Sequence, residues 1–183
     1  AFVFTDAALP ADVLQTLLAE AVEKSFHRIT VDSDTSTSDT VLAFATGKAG
    51  NAPLRSMDDP GADAFAAALA DLCRQLAHLV VRDGEGATKF VEISVEGASS
   101  DASAHRIGLS IANSPLVKTA VAGEDANWGR IVSCCGRTGV ELVESDITLE
   151  INGTLIYREG VVVEYDEQAV SRAMRDDEQV EIE

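Results

Sequence analysis

Basic residues are scarce in this chain: 14 Lys and Arg stand against 31 Asp and Glu, a formal net charge of −17. Such a surface repels polyanions and has few cations with which to release counterions from phosphates, so nucleic acid and anionic membranes are not expected partners. Cysteine is scarce too. Cys73, Cys134 and Cys135 are odd in number and two are adjacent, a poor basis for a disulfide framework and one that suits a reducing, cytoplasmic compartment. No stretch is read as approaching the roughly 20 consecutive apolar residues of a spanning helix. The opening Ala1-Phe2-Val3-Phe4-Thr5-Asp6 also lacks the basic start of a secretory signal. Internal repeats, low-complexity blocks and Pro- or Gly-rich linkers are absent, which predicts a single domain over residues 1–183. What is present is ordinary for a folded protein with its own core: 183 residues, 46% apolar and 25% charged.

Periodicity outlines the elements. Ala1 to Thr5 is short, apolar and β-favouring, and Pro10 then precedes Val13, Leu14, Leu17, Leu18, Ala21, Val22 and Phe26 at helical spacing. Ile29 to Val31 and Val41 to Ala45 are β candidates flanking a polar run. Asp59-Pro60 is expected to open a second helix with the stripe Phe65, Leu69, Leu72, Cys73, Leu76 and Leu79. Beyond Asp83-Gly84-Glu85-Gly86 the period becomes two, with Lys89, Val91, Ile93 and Val95 on one face, as in a strand with one wet face or an edge position. Helices are expected over Ala102 to Ala112, from Pro115, and over Asn127 to Cys135. Ile147, Leu149 and Ile151 then alternate with polar residues up to Asn152-Gly153, the pair that a two-residue hairpin turn favours. Val161 to Tyr165 reads as strand, Asp166 to Met174 as helix, and Val180 to Glu183 as an edge segment of a strand that continues in a longer polypeptide. Mixed order with hairpins gives an α/β class, an α+β layered sandwich with a largely antiparallel sheet.

Several generic motifs fail on chemistry. Gly84-Glu85-Gly86 lacks the third glycine of a dinucleotide fingerprint, because Lys89 occupies that place. Asp32, Asp34 and Ser36 imitate a calcium loop, but Thr37 stands where the sharp turn needs Gly and Ala43 where the bidentate Glu belongs. His27, His78 and His105 have no ligand spacing, so no metal is expected. Cys134-Cys135 reads as packing within an apolar helix. Three polar constellations remain. Asp32 to Thr40 alternates hydroxyls and carboxylates, as a capped surface turn or a pocket-lining loop. Asp83 to Lys89 is a helix-to-strand junction presenting Glu85, a carboxylate suited to an ammonium group, or a solvated turn. Gly123-Glu124-Asp125-Ala126-Asn127-Trp128-Gly129-Arg130 crowds carboxylates, an amide, the sole Trp and an Arg at a helix start, as a site, an interface, or a cap with an ion pair.

The runs Val31 to Thr40, Gly84 to Lys89 and Asp125 to Arg130, with the opening Ala1 to Asp6, resemble the β chain of the bifunctional glutamate N-acetyltransferase, or ornithine acetyltransferase, of arginine biosynthesis, in order over nearly the whole chain. The resemblance implies a layered α/β sandwich related to the autoprocessing aminopeptidases. It implies a precursor that cleaves itself before a Thr, whose α-amine serves as base for its own hydroxyl. That Thr takes an acetyl group from N-acetylornithine and passes it to glutamate. An α chain supplies the oxyanion donors and the assembly is α2β2.

By the same resemblance the nucleophilic Thr is expected just before Ala1, and a final strand and tail beyond Glu183, so no catalytic residue is assigned within this chain and Thr5 is not substituted for one. The family's substrate-binding residue that maps here is Glu85, expected to hold the amino group of ornithine or glutamate. No role carries over to Asp125, Asn127 or Arg130. No cofactor is implied; acetyl-CoA enters as a substrate in the members that use it. Two other readings stay open at this stage: an N-terminal-nucleophile amidase or peptidase, with water as acceptor, and a noncatalytic acidic binding protein.

Overall fold

The computed structural model describes residues 1–36 and 38–183. It is a mixed α/β protein with strands β1 (Phe2–Thr5), β2 (Leu42–Ala45), β3 (Phe90–Ile93), β4 (Thr148–Ile151), β5 (Thr154–Arg158), β6 (Val161–Val162) and β7 (Gln179–Ile182). The helices are α1 (Ala11–Glu23), α2 (Ala62–Arg82), α3 (Asp101–Ala112), α4 (Pro115–Ala122), α5 (Trp128–Gly136) and α6 (Glu167–Asp176). Contacts gather the chain into two compact units: Ala1–Ile29 with Asp34–Val81, and Thr30–Ser33 with Arg82–Glu183.

In the first unit β1 and β2 form a two-stranded parallel sheet, Phe2 opposite Leu42 and Phe4 opposite Phe44. Its inner side is a core in which Val3 meets Val13, Leu17, Leu18 and Ala21 of α1 and Leu69 and Cys73 of α2. The stripe of α1 is thus used as expected, whereas in α2 Phe65, Leu69, Cys73 and Leu76 face the core and Leu72 and Leu79, counted in the same stripe, are exposed by 41 and 59%. α1 stops at Glu23, where Ser25 turns its hydroxyl back onto the Ala21 carbonyl (2.6 Å), and Phe26–Arg28 form a single 3-10 turn. Ile29 to Val31 is not a strand: no ladder partner meets it among the described residues, and Ser33 at its end has φ 72°. Asp59-Pro60 lies in a turn before α2, with Asp59 accepting from the Arg55 (2.6 Å) and Ser56 (3.1 Å) amides. The alanines of α2 make it more apolar than the sequence reading allowed. By length and composition alone its 21 residues, with a stretch of mean hydropathy 1.4, are enough to cross a membrane. In the structure Leu69, Cys73 and Ala77 are buried, and Arg74 pairs with Asp71 on the wet side.

The second unit holds a five-stranded sheet in the order β3-β7-β4-β5-β6. β4, β5, β6 and β7 pair antiparallel, while β3 runs parallel to β7, so the sheet is mixed with an antiparallel majority. Val180 to Glu183 is not an edge segment. β7 lies between β3 and β4, and Glu183 exchanges both backbone hydrogen bonds with Glu150 (3.0 Å each). The Asn152-Gly153 turn forms as predicted, with φ 47° and 71°. The Asn152 side chain then accepts from the Glu181 amide at 2.8 Å, which ties the turn to β7. Helices α3, α5 and α6 supply Ile107, Ile111, Ile131, Cys134, Val170 and Met174 to a core with Leu149, Ile151, Ile156, Tyr157, Val180 and Ile182. Of Val161 to Tyr165, Val161–Val162 form β6, and the Val163 amide adds one more backbone bond to the Ile156 carbonyl (3.0 Å).

Candidate functional site

The junction before β3 is a four-residue turn closed by the Ala87 amide on the Gly84 carbonyl (3.0 Å), with Glu85 at its second position and Gly86 at its third. Gly86 has φ +71°, the left-handed region that a turn of this kind needs and that a side chain disfavours. Open space surrounds it, so conformation and not close approach explains this glycine. Glu85 is exposed, and its carboxylate takes no hydrogen bond or ion pair from the described residues. Lys89, at the foot of the same motif, donates to the Arg175 (2.8 Å) and Asp177 (2.6 Å) carbonyls, a cation on the C-terminal carbonyls of α6 where the helix dipole favours it. Phe90 follows with its ring 4.0 Å beneath the Arg82 guanidinium, closing the other face of β3.

The Gly123-to-Arg130 cluster is built at the meeting of two helices. α4 starts on the buried hydroxyl of Ser114, with Pro115 in its first turn. It ends in a Schellman arrangement: the Asp125 amide reaches the Ala120 carbonyl (2.9 Å) and the Glu124 amide that of Val121 (3.1 Å). Glu124 occupies the left-handed position (φ 56°) where Gly is usual. Three residues later Asn127 caps α5 through the Arg130 amide (3.2 Å) and donates to Asp125 (2.9 Å). Arg130 reaches back to the Leu116 carbonyl (2.8 Å) and the Thr119 hydroxyl (3.0 Å), bracing α5 against α4. Trp128 stacks on Tyr157 with centroids 5.2 Å apart, and the Tyr157 hydroxyl donates to Glu144 (2.9 Å). Burial and that carboxylate push the Tyr157 phenol upward.

The ion pair of this cluster is Glu124 with Arg175 of α6, not a pair involving Arg130. Arg175 donates through Nε at 2.8 Å and through Nη2 to the same oxygen. These hydrogen bonds, with the Arg175 and Lys89 charges nearby, hold the Glu124 carboxyl below its ordinary range against a smaller opposing effect of burial. Two of the three constellations therefore converge on one helix: Lys89 binds the C-terminal carbonyls of α6, and Glu124 binds its last side-chain cation. An open cleft of about 660 Å³ lies beside this junction, lined among others by Asp125, Trp128, Tyr165, Gln168, Ser171 and Arg172. Burial, then Glu167 and Asp125, raise the Tyr165 phenol. Glu85 does not line this cleft. The contribution of α6 was missed in sequence; the signal for it was a helix whose only large apolar residues are Val170 and Met174, both buried here, leaving a long polar face for other work.

The remaining candidates sort simply. In the hydroxyl-rich run Thr37 lies outside the described residues. Around it Asp39 accepts from the Ser36 amide (3.0 Å), the Ser36 hydroxyl from the Ser38 amide (3.1 Å), and Ser33 donates its amide to Thr30 (3.1 Å), as in a self-stapled surface turn. All three cysteines are buried thiols. Burial raises Cys73, and burial with the neighbouring Cys134 raises Cys135, so neither tends to a thiolate. Among the described residues no three His, Cys, Asp or Glu gather as a metal site.

Comparison with known proteins agrees over the whole chain. A profile of the ArgJ family matches residues 1–183. The arginine biosynthesis bifunctional protein ArgJ of Gluconobacter oxydans is 55% identical over 179 residues, 97% of this chain and 42% of that protein. The protein of the same name from Rhizobium meliloti is 61% identical over 148 residues, 79% of this chain and 36% of its own length. The chain thus spans about two fifths of the length of the curated relatives it matches. The crystal structure of the Bacillus halodurans protein of that name superposes with a TM-score of 0.95 at 38% identity, covering 99% of this chain and 84% of that one. Matched by the family profile over its whole length and by these relatives, the chain belongs to the ArgJ family.

Proposed function

We propose that this chain is the amino-group-binding part of an acetyltransferase of arginine biosynthesis, moving an acetyl group from N-acetylornithine to glutamate in the cytoplasm. Family membership over residues 1–183 carries the reading. Glu85 supports it, an unpaired carboxylate at the tip of a turn fixed by Gly86 and footed on α6 through Lys89. N-acetylornithine has one acylated nitrogen and one free ammonium, and a carboxylate opposite that ammonium orients the acetyl end toward a nucleophile.

The nucleophile in this reading is the N-terminal Thr of the processed chain, outside the present numbering. Its hydroxyl oxygen attacks the acetyl carbon, its proton passes to its own α-amine, and the amine returns that proton to departing ornithine, leaving an acetyl ester. The glutamate nitrogen then attacks the ester and its surplus proton travels back to the Thr oxygen. A companion α chain contributes the oxyanion donors in an α2β2 assembly. Acetyl-CoA acylates the same Thr in a second route to acetylglutamate. No metal or cofactor takes part.

Intact-mass spectrometry of the native protein after brief exposure to N-acetylornithine tests the reading: one acetyl group is expected on a Thr-initiated chain, and an unchanged mass overturns it. Replacing Glu85→Gln removes the charge and keeps the shape. A charged hydrogen bond of about 1.5–3 kcal/mol corresponds to a rise in KM for N-acetylornithine of about 10- to 150-fold with kcat largely kept. Unchanged KM removes Glu85 from the site.

A further inference from the structure

The backbone that carries Glu85 has few restraints of its own. Gly84 and Gly86 flank it, and the turn closes only on itself, through the Ala87 amide on the Gly84 carbonyl. Asp83, Glu85, Ala87 and Thr88 are all exposed, and backbone beside glycines has the most conformational freedom to lose. The chain is next held at Phe90, whose amide reaches the Glu178 carbonyl (3.0 Å) at the start of β3. Among the described residues no side chain of 83–89 other than Lys89 makes a hydrogen bond. A carboxylate that orients an ammonium group needs a fixed stem, since a misplacement of about 1 Å costs up to about 100-fold.

Lys89 is that stem. Its side chain is half-buried, and its ammonium spends two of three N–H groups on the Arg175 (2.8 Å) and Asp177 (2.6 Å) carbonyls. These acceptors sit at the end of α6, where carbonyls lack intrahelical donors and the helix presents its negative pole. That end is itself anchored twice. Met174, 1% exposed, fixes it in the core, and the Arg175 guanidinium grips Glu124. Arg175 therefore takes Glu124 with its side chain and Lys89 with its main chain, a rigid mount for an otherwise loose turn. We infer that Lys89 is the positioning residue of the amino-group site: it acts through Glu85, setting where that carboxylate meets the free ammonium of N-acetylornithine, and does not touch the substrate itself. The inference rests on the reading of Glu85 given above and deepens it.

The test uses the full-length gene product with Lys89→Met, which keeps the bulk of the stem and removes its donors. N-acetylornithine is the substrate, and N-acetylnorvaline, the same skeleton without the ammonium, is the competing inhibitor. KM for N-acetylornithine is expected to rise about tenfold with kcat largely kept. The inhibition constant of N-acetylnorvaline should move by less than about twofold, because Glu85 has no ammonium to meet there. Lys89→Arg, which returns N–H donors to the two carbonyls, should recover most of the loss. In a Glu85→Gln background, with no charge left to place, Lys89→Met should add less than about twofold. If Lys89→Met does not fold, Lys89→Gln, which keeps an N–H donor without the charge, replaces it under the same criteria. Three results each overturn the positioning role: an unchanged KM, an equal weakening of N-acetylnorvaline, or the full loss repeated on top of Glu85→Gln. In those cases a KM still raised by Glu85→Gln alone leaves the reading of Glu85 standing. A KM indifferent to Glu85→Gln overturns both.

Discussion

The two units answer the same physical demand in opposite ways. In the second unit the sheet's apolar residues meet helices supplied by the same unit, and Ile151, Ile156, Tyr157 and Val180 are all at most 1% exposed. In the first unit two helices cover one side of two strands, and the other side shows three Phe rings to solvent. Consecutive buried residues in β5, Ile156 and Tyr157, mark a strand covered on both faces; β1 has the same kind of sequence without the cover. A continuous apolar run therefore states how many faces a strand means to bury, and a shortfall in the fold shows where something else belongs.

The largest expected effect breaks the comparison where each unit is strongest. Ile156→Ala and Leu17→Ala each empty a site no more than 2% exposed, and each is expected to cost about 2–5 kcal/mol, a large part of a typical domain's stability. Read by amide exchange, Ile156→Ala should release protection in residues 82–183 and leave α1 and β1 nearly unchanged, with Leu17→Ala giving the converse. Equal loss of protection everywhere in either variant would mean that the two units unfold as one.

A smaller effect probes α6, on which the two surviving motifs converge. Asp166 accepts from the Ala169 amide (2.9 Å) as its N-cap, and Asp166→Ala is expected to lower unfolding stability by about 1 kcal/mol. Exchange should quicken first in α6 and in the turn of Glu85, since Lys89 holds the far end of that helix. A stability loss with no change around residues 84–89 would uncouple the turn from α6.

Local chemistry was legible in the sequence where it acts over a few residues. Asn152-Gly153, Pro115 and Asn127 each did what their side chains dictate, and the helical stripe of α1 faces the core, as does that of α2 apart from the exposed Leu72 and Leu79. Long-range partnership was not. β7 reads as a cut edge because nothing in Val180 to Ile182 tells that β3, 89 positions earlier in register, runs beside it in parallel. Lys89 reads as a strand residue because its acceptors are main-chain carbonyls, which have no sequence signature. Ile29 to Val31 has β propensity, but among the described residues no strand pairs with it, and propensity alone does not make a strand. The Gly123-to-Arg130 cluster was visible as a cluster, but its ion pair runs from Glu124 to a distant helix.

That ion pair gives the smallest and most specific effect. Arg175 lowers the Glu124 carboxyl in the folded chain, so the unfolded chain binds this proton at a higher pH than the folded one. The pair's contribution is therefore complete above the ordinary carboxylate value of about 4.3, and it is lost as pH falls through the lowered folded value. Glu124→Gln should reduce stability at neutral pH, flatten the acid limb of the stability profile, and bring wild type and variant together at the lowest pH. The pair is partly exposed, so salt should shrink the difference. Glu124→Gly separates charge from backbone: it removes the same carboxylate but relieves a left-handed residue, and should lie above Glu124→Gln in stability while sharing its flattened acid limb. An acid limb unchanged in both variants would show that Arg175 does not hold this carboxylate in solution, and α6 would then be tied to the rest of the unit through Lys89 and its buried face alone.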